Sequence, residues 1–416
     1  MIAGRQRGLL AFWNVNYVEA SNMSEPNLEE TKGQRLKILH IAGWYPSKRN
    51  PVAGIFVREH VKATALYNDV AVLYSEGVDR EIRGLYQIED NIEDGIRTLR
   101  LRYRKSPIPK TTYFIYLWAM FRAFAKLIGE GFRPDVIHAH IYSAGVLAVL
   151  LGMWHRIPVV ITEHSTAFPR GLIWGFERIK AKFAFKRAAV VCPVSESLKE
   201  SIERLGVRAR FQVIPNVVDT SLFSPLTTAC KAKDKGKKRL LTVALLDPKK
   251  GIPYLLEALA LLREKRDDFV LDIVGDGPNR AEYEELTRKL GLQDIVHFHG
   301  LKTKQEVAEF MKQCDVFVLP SLVETFGVVF IEALACGKPV IASKIGGPSE
   351  IVSEEVGRLV PPGDSETLAQ TLDYMLDHYK AYSSERLAQY ARERYSYQAV
   401  GRKLDQLYRS VLRKAQ

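Results

Sequence analysis

The sequence predicts an α/β protein with two Rossmann-like domains, each built on a parallel sheet. A chain of 416 residues exceeds what one hydrophobic core usually supports. From residue 36 onward, short runs rich in Val, Ile and Leu alternate with segments long enough for helices, which is typical of parallel strands buried on both faces. With 47% hydrophobic and 26% charged residues, the composition is that of a globular chain rather than a disordered one.

The predicted strands form two sets of six, one for each half of the chain. Those of the first half are residues 36–42, 69–75, 135–141, 158–164, 188–195 and 211–217. Those of the second half are residues 239–246, 269–275, 295–300, 316–320, 339–343 and 357–362. Each set, with the helical segments between its members, predicts one Rossmann-like half.

Composition sets the predicted domain boundaries. Residues 1–33 show no convincing period and are expected to form a flexible tail. The N-terminal domain covers residues 34–224 and the C-terminal domain residues 240–390, joined by a basic linker at residues 225–239. Residues 391–416 have a helical period and a basic end suited to a helix C-terminus.

Positive charge is concentrated in the first half of the chain. Residues 1–239 hold 37 Lys and Arg against 22 Asp and Glu, a net charge of +15, whereas residues 240–416 carry −3. Such a surface suits an anionic membrane or phosphorylated partners. No nucleic-acid-binding motif accompanies the charge, so we expect no nucleic-acid partner.

The sequence predicts neither secretion nor membrane insertion. No window reaches the roughly 18 consecutive apolar residues that a spanning helix needs, and the N-terminus lacks a small-residue cleavage site. We therefore expect a cytoplasmic protein. The apolar segment 113–128 is interrupted by Arg122 and Lys126 and is typical of an amphipathic helix, which either packs on its own domain or lies on a membrane surface.

The cysteine and histidine patterns predict no metal site. Four cysteines are scattered without metal-ligand spacing, as expected of buried reduced thiols. His138 and His140 lie two residues apart on a predicted strand, so their side chains point to the same side. A metal pair is conceivable, but no third ligand follows at a useful spacing, and packing or substrate contact are the alternatives.

The stretch SLVETFGVVFIEALACGKPVIAS, residues 321–343, contains the strongest candidate site. It predicts a helix that begins near Gly327 after a buried strand, which places Glu324 in the loop at the carboxyl end of the strand and Glu332 inside the helix. Between them, free backbone N–H groups at the positive end of the helix dipole can hold phosphate. These are the amides of Phe326, Gly327 and Val328.

A ligand with a hydroxyl-rich ring, a diphosphate and a second hydroxyl-rich ring matches this order of carboxylate, amides and carboxylate. A nucleotide sugar is such a molecule. The alternative is that Glu332 is a surface charge and Glu324 only caps the helix. Two further loops support a ligand site: Lys249 and Lys250 precede a helix and could neutralise a diphosphate, and Gly54 could bring the backbone close to a ligand.

An ordered set of motifs runs through residues 36–390: DVIHAH, VSE, IPNVVD, PKKG, VGDGP, LPSLVETFGVVFIEALACGKPVIAS, GGPSEIV and GRLVPPGD. The set resembles glycosyltransferase family 4, whose members are retaining enzymes of the GT-B fold. The loop at residues 44–60 is similar to that of bacterial polysaccharide-building members. The resemblance implies two Rossmann-like domains with parallel sheets facing across a cleft, and a C-terminal helix that crosses back to the N-terminal domain.

The resemblance also implies roles for individual positions. It implies no cofactor and no metal, because cations and amides of the protein neutralise the donor. The implied contacts are Glu324 and His140, or less favourably His138, with the transferred sugar; Glu332 with the ribose; Lys250 with the diphosphate; Phe326, Gly327 and Val328 with phosphate and sugar; and Gly54 with the phosphate side.

One position departs from the family pattern. Many members have an arginine where Leu245 stands, so one of two usual phosphate cations is missing, and Lys249 or another basic side chain has to replace it. We expect a metal-independent, retaining hexosyltransferase that moves a sugar from a nucleotide sugar to a glycan or polyprenyl-linked acceptor in envelope or extracellular polysaccharide synthesis, on the inner face of the cytoplasmic membrane. The alternatives are a non-catalytic nucleotide-sugar-binding scaffold and a nucleotide-sugar 2-epimerase.

Overall fold

The computed structural model describes residues 34–415, apart from residues 48, 51, 80, 109–110 and 227–235. The predicted tail at residues 1–33 and most of the predicted linker at residues 225–239 therefore lie outside the described residues. Cys230 lies outside them too, and the other three cysteines, Cys192, Cys314 and Cys336, are buried free thiols.

The N-terminal domain is built on a seven-stranded sheet with the order β3-β4-β2-β1-β5-β6-β7. All its pairs are parallel except β3 with β4. The strands are β1 Lys37–Ala42, β2 Asp69–Val78, β3 Tyr86–Glu93, β4 Ile96–Arg104, β5 Val136–His140, β6 Val159–Glu163 and β7 Val190–Pro193. The helices are α1 Ile55–Ala65, α2 Thr111–Gly129, α3 Tyr142–His155, α4 Gly175–Arg187 and α5 Glu196–Glu203.

The C-terminal domain is built on a six-stranded parallel sheet with the order β10-β9-β8-β11-β12-β13. The strands are β8 Lys238–Val243, β9 Phe269–Val274, β10 Val296–Gly300, β11 Val316–Leu319, β12 Val340–Ser343 and β13 Gly357–Val360. The helices are α6 Ile252–Arg263, α7 Arg280–Lys289, α8 Lys304–Gln313, α9 Val328–Ala335, α10 Pro348–Ile351, α11 Ser365–His378, α12 Ser384–Tyr395 and α13 Tyr397–Ala415.

The prediction of two parallel-dominated α/β domains is confirmed. Strands β5, β6 and β11 are buried along their whole length, because helices cover both faces of each sheet. Helix α6 shows the matching helical pattern, with Leu255, Leu259 and Leu262 buried at spacings of four and three residues. Among the described residues, no helix combines the length and the apolar character needed to cross a bilayer.

Two parts of the strand prediction were wrong. Residues 211–217 do not form a strand, since only Phe211 makes an isolated bridge to Val191, and Pro215 has no N–H for a ladder. The hairpin of β3 and β4 was missed. Strand β8 begins at Lys238, two residues before the predicted start of the C-terminal domain.

The last helix, α13, packs on the N-terminal sheet. Its buried residues Val400, Leu404 and Leu407 belong to the same apolar cluster as Ile38 of β1 and Val136 of β5. Helix α12, by contrast, stays with the C-terminal domain. Where the chain returns, the backbone N–H of Val218 donates to the carbonyl oxygen of Tyr395 at 2.9 Å.

Candidate active site

Glu324 and Lys250 come from different loops and meet at the carboxyl ends of β11 and β8. The backbone N–H of Leu322 donates to the carbonyl oxygen of Lys249 at 2.7 Å, which fastens the glutamate loop to the lysine loop. The Lys250 Nζ then lies 2.6 Å from Glu324 Oε2, with side chains 20% and 12% exposed. The structure thus places an ammonium and a carboxylate side by side at the edge where open α/β sheets bind ligands.

Two glycines make this arrangement possible. Gly251 follows the lysine turn with a φ of 66°, and a Cβ there would lie 2.0 Å from the Pro320 carbonyl oxygen. Gly327 precedes α9 with a φ of 86°, and a Cβ there would lie 2.5 Å from the Phe330 ring. Any side chain would be strained and would collide at both positions, so the loops keep their close approach only with glycine.

The entrance of α9 offers backbone donors beside this ion pair. Among the described residues, no protein oxygen accepts from the N–H groups of Phe326, Gly327 or Val328. They lie at the positive end of the helix dipole and follow Glu324, the partner of Lys250, within four residues. Such a group of donors can bind an anion without a metal.

Glu332, on α9, belongs to a group of charges between the domains. Burial raises the pKa of Glu332 to about 7; Lys304 opposes this rise, whereas Glu59 and Asp219 add to it. Lys304 Nζ lies 3.0 Å from Glu59 Oε1 on α1, and the Tyr397 hydroxyl donates to the other Glu59 oxygen. Glu332 is therefore a half-buried carboxyl that can accept or donate a hydrogen bond near pH 7.

Gly54 caps the beginning of α1, the helix that carries Glu59. Its φ is 70°, and a Cβ would lie 2.4 Å from the carbonyl carbon of Trp44. Glycine therefore lets α1 begin directly against the loop that follows β1. This loop lies at the carboxyl end of the strand, the edge of the sheet where parallel sheets bind ligands.

His140 lies inside a cluster of five histidines. They are His40 of β1, His60 of α1, His138 and His140 of β5, and His164 after β6, none more than 6% exposed. Burial lowers the pKa of His40 to about 3 and that of His60 to about 4, and holds the pKa values of the other three well below the usual range. All five rings are therefore neutral near pH 7.

The cluster is held together by hydrogen bonds. His138 Nδ1 lies 2.6 Å from the Tyr408 hydroxyl, and its Nε2 lies 2.7 Å from Thr162 Oγ1. Nitrogens of His40, His138 and His140 lie within 4.8 Å of one another, so β1 supplies the third ring that sequence spacing did not show. His138 makes its hydrogen bonds to these two hydroxyls, whereas His40 Nδ1 lies 2.9 Å from His140 Nε2. The absence of a metal at these rings stays a prediction.

His164 connects this cluster to the loop that carries Glu324, whereas His140 has no exposed surface. The His164 carbonyl oxygen accepts from Thr325 Oγ1 at 3.0 Å, and Thr325 directly follows Glu324. The sequence analysis missed His164. It could have been found from its position at the carboxyl end of the predicted strand 158–164, because the same kind of position singled out Glu324.

Further hydrogen bonds join the domains through two of the sequence motifs. Ser195, in the VSE motif, donates its Oγ proton to the Thr325 carbonyl oxygen at 2.7 Å. Glu350, in the GGPSE motif, accepts from the backbone N–H groups of Glu196 and Ser197, both at 2.8 Å. Glu350 therefore caps α5 of the other domain, where a carboxylate is favoured by the helix dipole.

Comparison with known proteins matches two family profiles: "Glycosyltransferase Family 4" over residues 53–222 and "Glycosyl transferases group 1" over residues 227–394. An uncharacterized glycosyltransferase of Methanocaldococcus jannaschii is 30% identical over 334 residues, which cover 74% of this chain and 84% of that protein. The chain belongs to glycosyltransferase family 4. It is a glycosyltransferase, and its two facing α/β domains are those of the GT-B fold.

One further sequence relative and one solved structure are similar to this chain. A putative colanic acid biosynthesis glycosyltransferase of Escherichia coli is 30% identical over 259 residues, which cover 59% of this chain and 62% of that protein. The structure of Anabaena HepE in complex with UDP and glucose superposes with a TM-score of 0.71 at 22% identity, covering 90% of this chain and all of the other.

The structure also locates the departure from the glycosyltransferase pattern. Leu245 lies two residues after β8 and is 55% exposed. Lys249, the expected substitute for the missing arginine, has its Nζ 2.9 Å from Asp247 Oδ2. Lys249 would have to leave this aspartate before it could contact a phosphate.

Proposed function

We propose that this glycosyltransferase moves a sugar, with retention of the anomeric configuration, from a nucleotide-sugar donor to a glycan or polyprenyl-linked acceptor in the synthesis of envelope or extracellular polysaccharide. The observation that carries the proposal is the pairing of Glu324 with Lys250 beside the unused amides at the entrance of α9. The relatedness to a putative colanic acid glycosyltransferase supports the class of product, and the UDP complex of HepE makes UDP sugars the first donors to test.

In the proposed reaction, the diphosphate rests on the α9 amides and replaces Glu324 as the partner of Lys250. The Glu324 carboxylate then contacts water or sugar hydroxyls. These donors stabilise the negative charge that develops on the departing diphosphate, so no metal is needed. Glu332 holds the ribose, and Glu324 and His164 orient the sugar. The departing phosphate oxygen takes the proton of the acceptor hydroxyl, so the protein supplies no carboxylate base.

We also propose that the N-terminal domain rests on an anionic membrane. Trp154, Trp174 and Phe176, on α3 and at the beginning of α4, are 80%, 75% and 70% exposed. Exposed cations lie near them in the sequence: Arg156, Arg170, Arg178 and Lys186. Aromatic side chains with basic neighbours suit the headgroup region. A Trp174→Ser, Phe176→Ser variant should lose flotation with vesicles containing phosphatidylglycerol and keep its Tm; unchanged flotation contradicts this part.

Purified protein should be screened with UDP-, GDP- and ADP-sugars for a rise in Tm, since a ligand of the native state stabilises it by mass action. The donor found should then release nucleoside diphosphate in the presence of acceptor. Glu324→Ala should reduce transfer by orders of magnitude. Donor binding without turnover would favour the scaffold alternative, and release of an epimerised sugar nucleotide without acceptor would favour the epimerase.

A further inference from the structure

One lysine of the C-terminal domain lies among carboxyl groups from three parts of the chain. Lys304 is the first residue of α8, and its Nζ lies 3.0 Å from Glu59 Oε1 of α1, in the N-terminal domain. The same ammonium acts on Glu332 of α9 and on Asp219, which follows α5 near the end of the N-terminal domain. Three carboxyl groups therefore share this cation where the two domains meet.

The ion pair between the domains is fixed from several sides. Glu59 is buried, and while one of its oxygens contacts Lys304, the other accepts from the Tyr397 hydroxyl of α13. The Lys304 Nζ also lies 5.7 Å from the centre of the Phe223 ring, a distance that suits a cation–π contact. An ammonium has three donors, so Lys304 can face a second carboxyl while it remains on Glu59.

The Glu332 side chain, by contrast, makes no hydrogen bond or ion pair within the described residues. Burial raises its pKa to about 7, Lys304 opposes this rise, and Glu59 and Asp219 add to it. Other elements that pack on α9, namely α10, α12 and β12, contribute no further charge in the described part of the chain. Burial also disfavours the ionised form of Asp219, yet the Ser221 hydroxyl and Lys304 keep its pKa below the usual value. The charge of Glu332 is thus set by groups to which it is not hydrogen-bonded, and one of them belongs to α1.

We propose that Lys304 is a positioning residue for the donor: it keeps the Glu332 carboxylate charged so that this group accepts from the ribose hydroxyls, and Glu59 limits the effect from the N-terminal domain. The contact of Glu332 with the ribose rests on the proposed function. An ionised carboxylate accepts from two hydroxyls at once, whereas a protonated carboxyl has lost part of this capacity. Because Glu59 and Lys304 belong to different domains, the affinity for the nucleotide depends on how the domains meet.

Carbon NMR on protein labelled with ¹³C at the glutamate carboxyl groups follows the titration of Glu332 without any ligand, with its signal assigned from a Glu332→Gln variant. Lys304→Met removes the opposing cation and should raise the midpoint by about one pH unit. Glu59→Gln removes a like charge and should lower the midpoint, and Asp219→Asn provides a second change in this direction. Lys312→Met removes a lysine of α8 that does not act on Glu332, so this matched control should leave the midpoint unchanged. An unchanged midpoint in Lys304→Met, or shifts of Lys304→Met and Glu59→Gln in the same direction, overturns the proposal.

Nucleotide binding provides the second readout, with UDP and GDP titrated calorimetrically at pH 7 and at pH 9. At pH 7, Lys304→Met should bind about fivefold more weakly, because the ionised fraction of Glu332 falls from about a half to about a tenth, and Glu59→Gln should bind more tightly. At pH 9 both variants should bind like the wild type. A loss in Lys304→Met that persists at pH 9 indicates a direct contact with the nucleotide and overturns the proposal. If neither nucleotide binds, or binding does not follow the midpoints, the ribose contact of Glu332 fails with the proposed function, while the NMR result alone decides the effect of Lys304 on Glu332.

Discussion

Replacing Glu324 with Gln should affect two steps in opposite directions. It should abolish sugar transfer, because the sugar loses its oriented carboxylate, and it should tighten binding of the nucleoside diphosphate product. Lys250 Nζ is 2.6 Å from Glu324 Oε2, so a diphosphate has to displace this carboxylate and approach a like charge. Gln keeps the shape of the side chain and removes the charge.

The size of the effect follows from the geometry of the pair. For unit charges 2.6 Å apart, an effective dielectric constant of about 20 gives roughly 6 kcal/mol of attraction before solvation is counted. The side chains are partly exposed, and hydration of the separated ions offsets most of this, leaving about 1–2 kcal/mol. Diphosphate binding should therefore tighten by about tenfold.

Calorimetric titration of UDP and GDP into four proteins measures this: wild type, Glu324→Gln, Lys250→Met and the double variant. Lys250→Met should bind more weakly, and most of the gain from Glu324→Gln should disappear in the double variant. Glu309→Gln, which breaks a pair with Lys312 on α8, is the control and should bind like the wild type. If Glu324→Gln weakens diphosphate binding as much as Lys250→Met does, the reasoning is refuted.

Three other predictions concern neighbouring parts of the site. Because the pKa of Glu332 is raised to about 7, donor binding should weaken as the pH falls from about 8 to 6. The stability that this carboxyl contributes should be full below its ordinary pKa and should be lost as the pH rises through 7. Glu332→Gln should flatten both profiles, measured by calorimetry for binding and by thermal unfolding for stability. Glu350→Ala removes two bonds to α5 and should lower Tm by about 2–4 °C and weaken donor binding; an unchanged donor affinity would contradict its role between the domains. Gly251→Ala should lower the free energy of unfolding by about 3 kcal/mol or more, measured with denaturant, because its Cβ meets the Pro320 carbonyl. Gly291→Ala is the control: Gly291 has a similar φ of 67° but lies in open space, so the loss should be about 1 kcal/mol. Equal losses would show that φ alone matters.

The core of the fold could be predicted because its strands are buried on both faces and leave a continuous apolar signal. The hairpin of β3 and β4 gives no such signal. In β4, Arg100, Arg102 and Arg104 alternate with apolar residues, and Arg97 and Arg100 pair with Asp90 and Glu93 of β3. In the sequence, its arginines count only among the positive charges of the first half of the chain. Its cations are largely neutralised by the neighbouring strand, so they contribute less to a basic surface than their number suggests.

The candidate site was predictable where one segment contained it. The loop and helix from Glu324 to Glu332 gave carboxylates, amides and a glycine cap in a single stretch. The ammonium of Lys250 followed from its place after a strand. Contacts between distant segments were not predictable. The pairing of Glu59 with Lys304 depends on how α1 and α8 come together, and the histidine cluster depends on α1, β1, β5 and the end of β6. Spacing along the chain holds no information about such convergence.

The chain passes between the domains twice, and the two passages touch at Val218 and Tyr395. Because both crossings are held at the same place, they allow the domains to rotate about this point rather than to slide past each other. The bonds across the cleft, from Ser195, Thr325 and Glu350, are polar contacts that water can replace at little cost. We expect a turn about this pivot to open the cleft while the two sheets remain rigid.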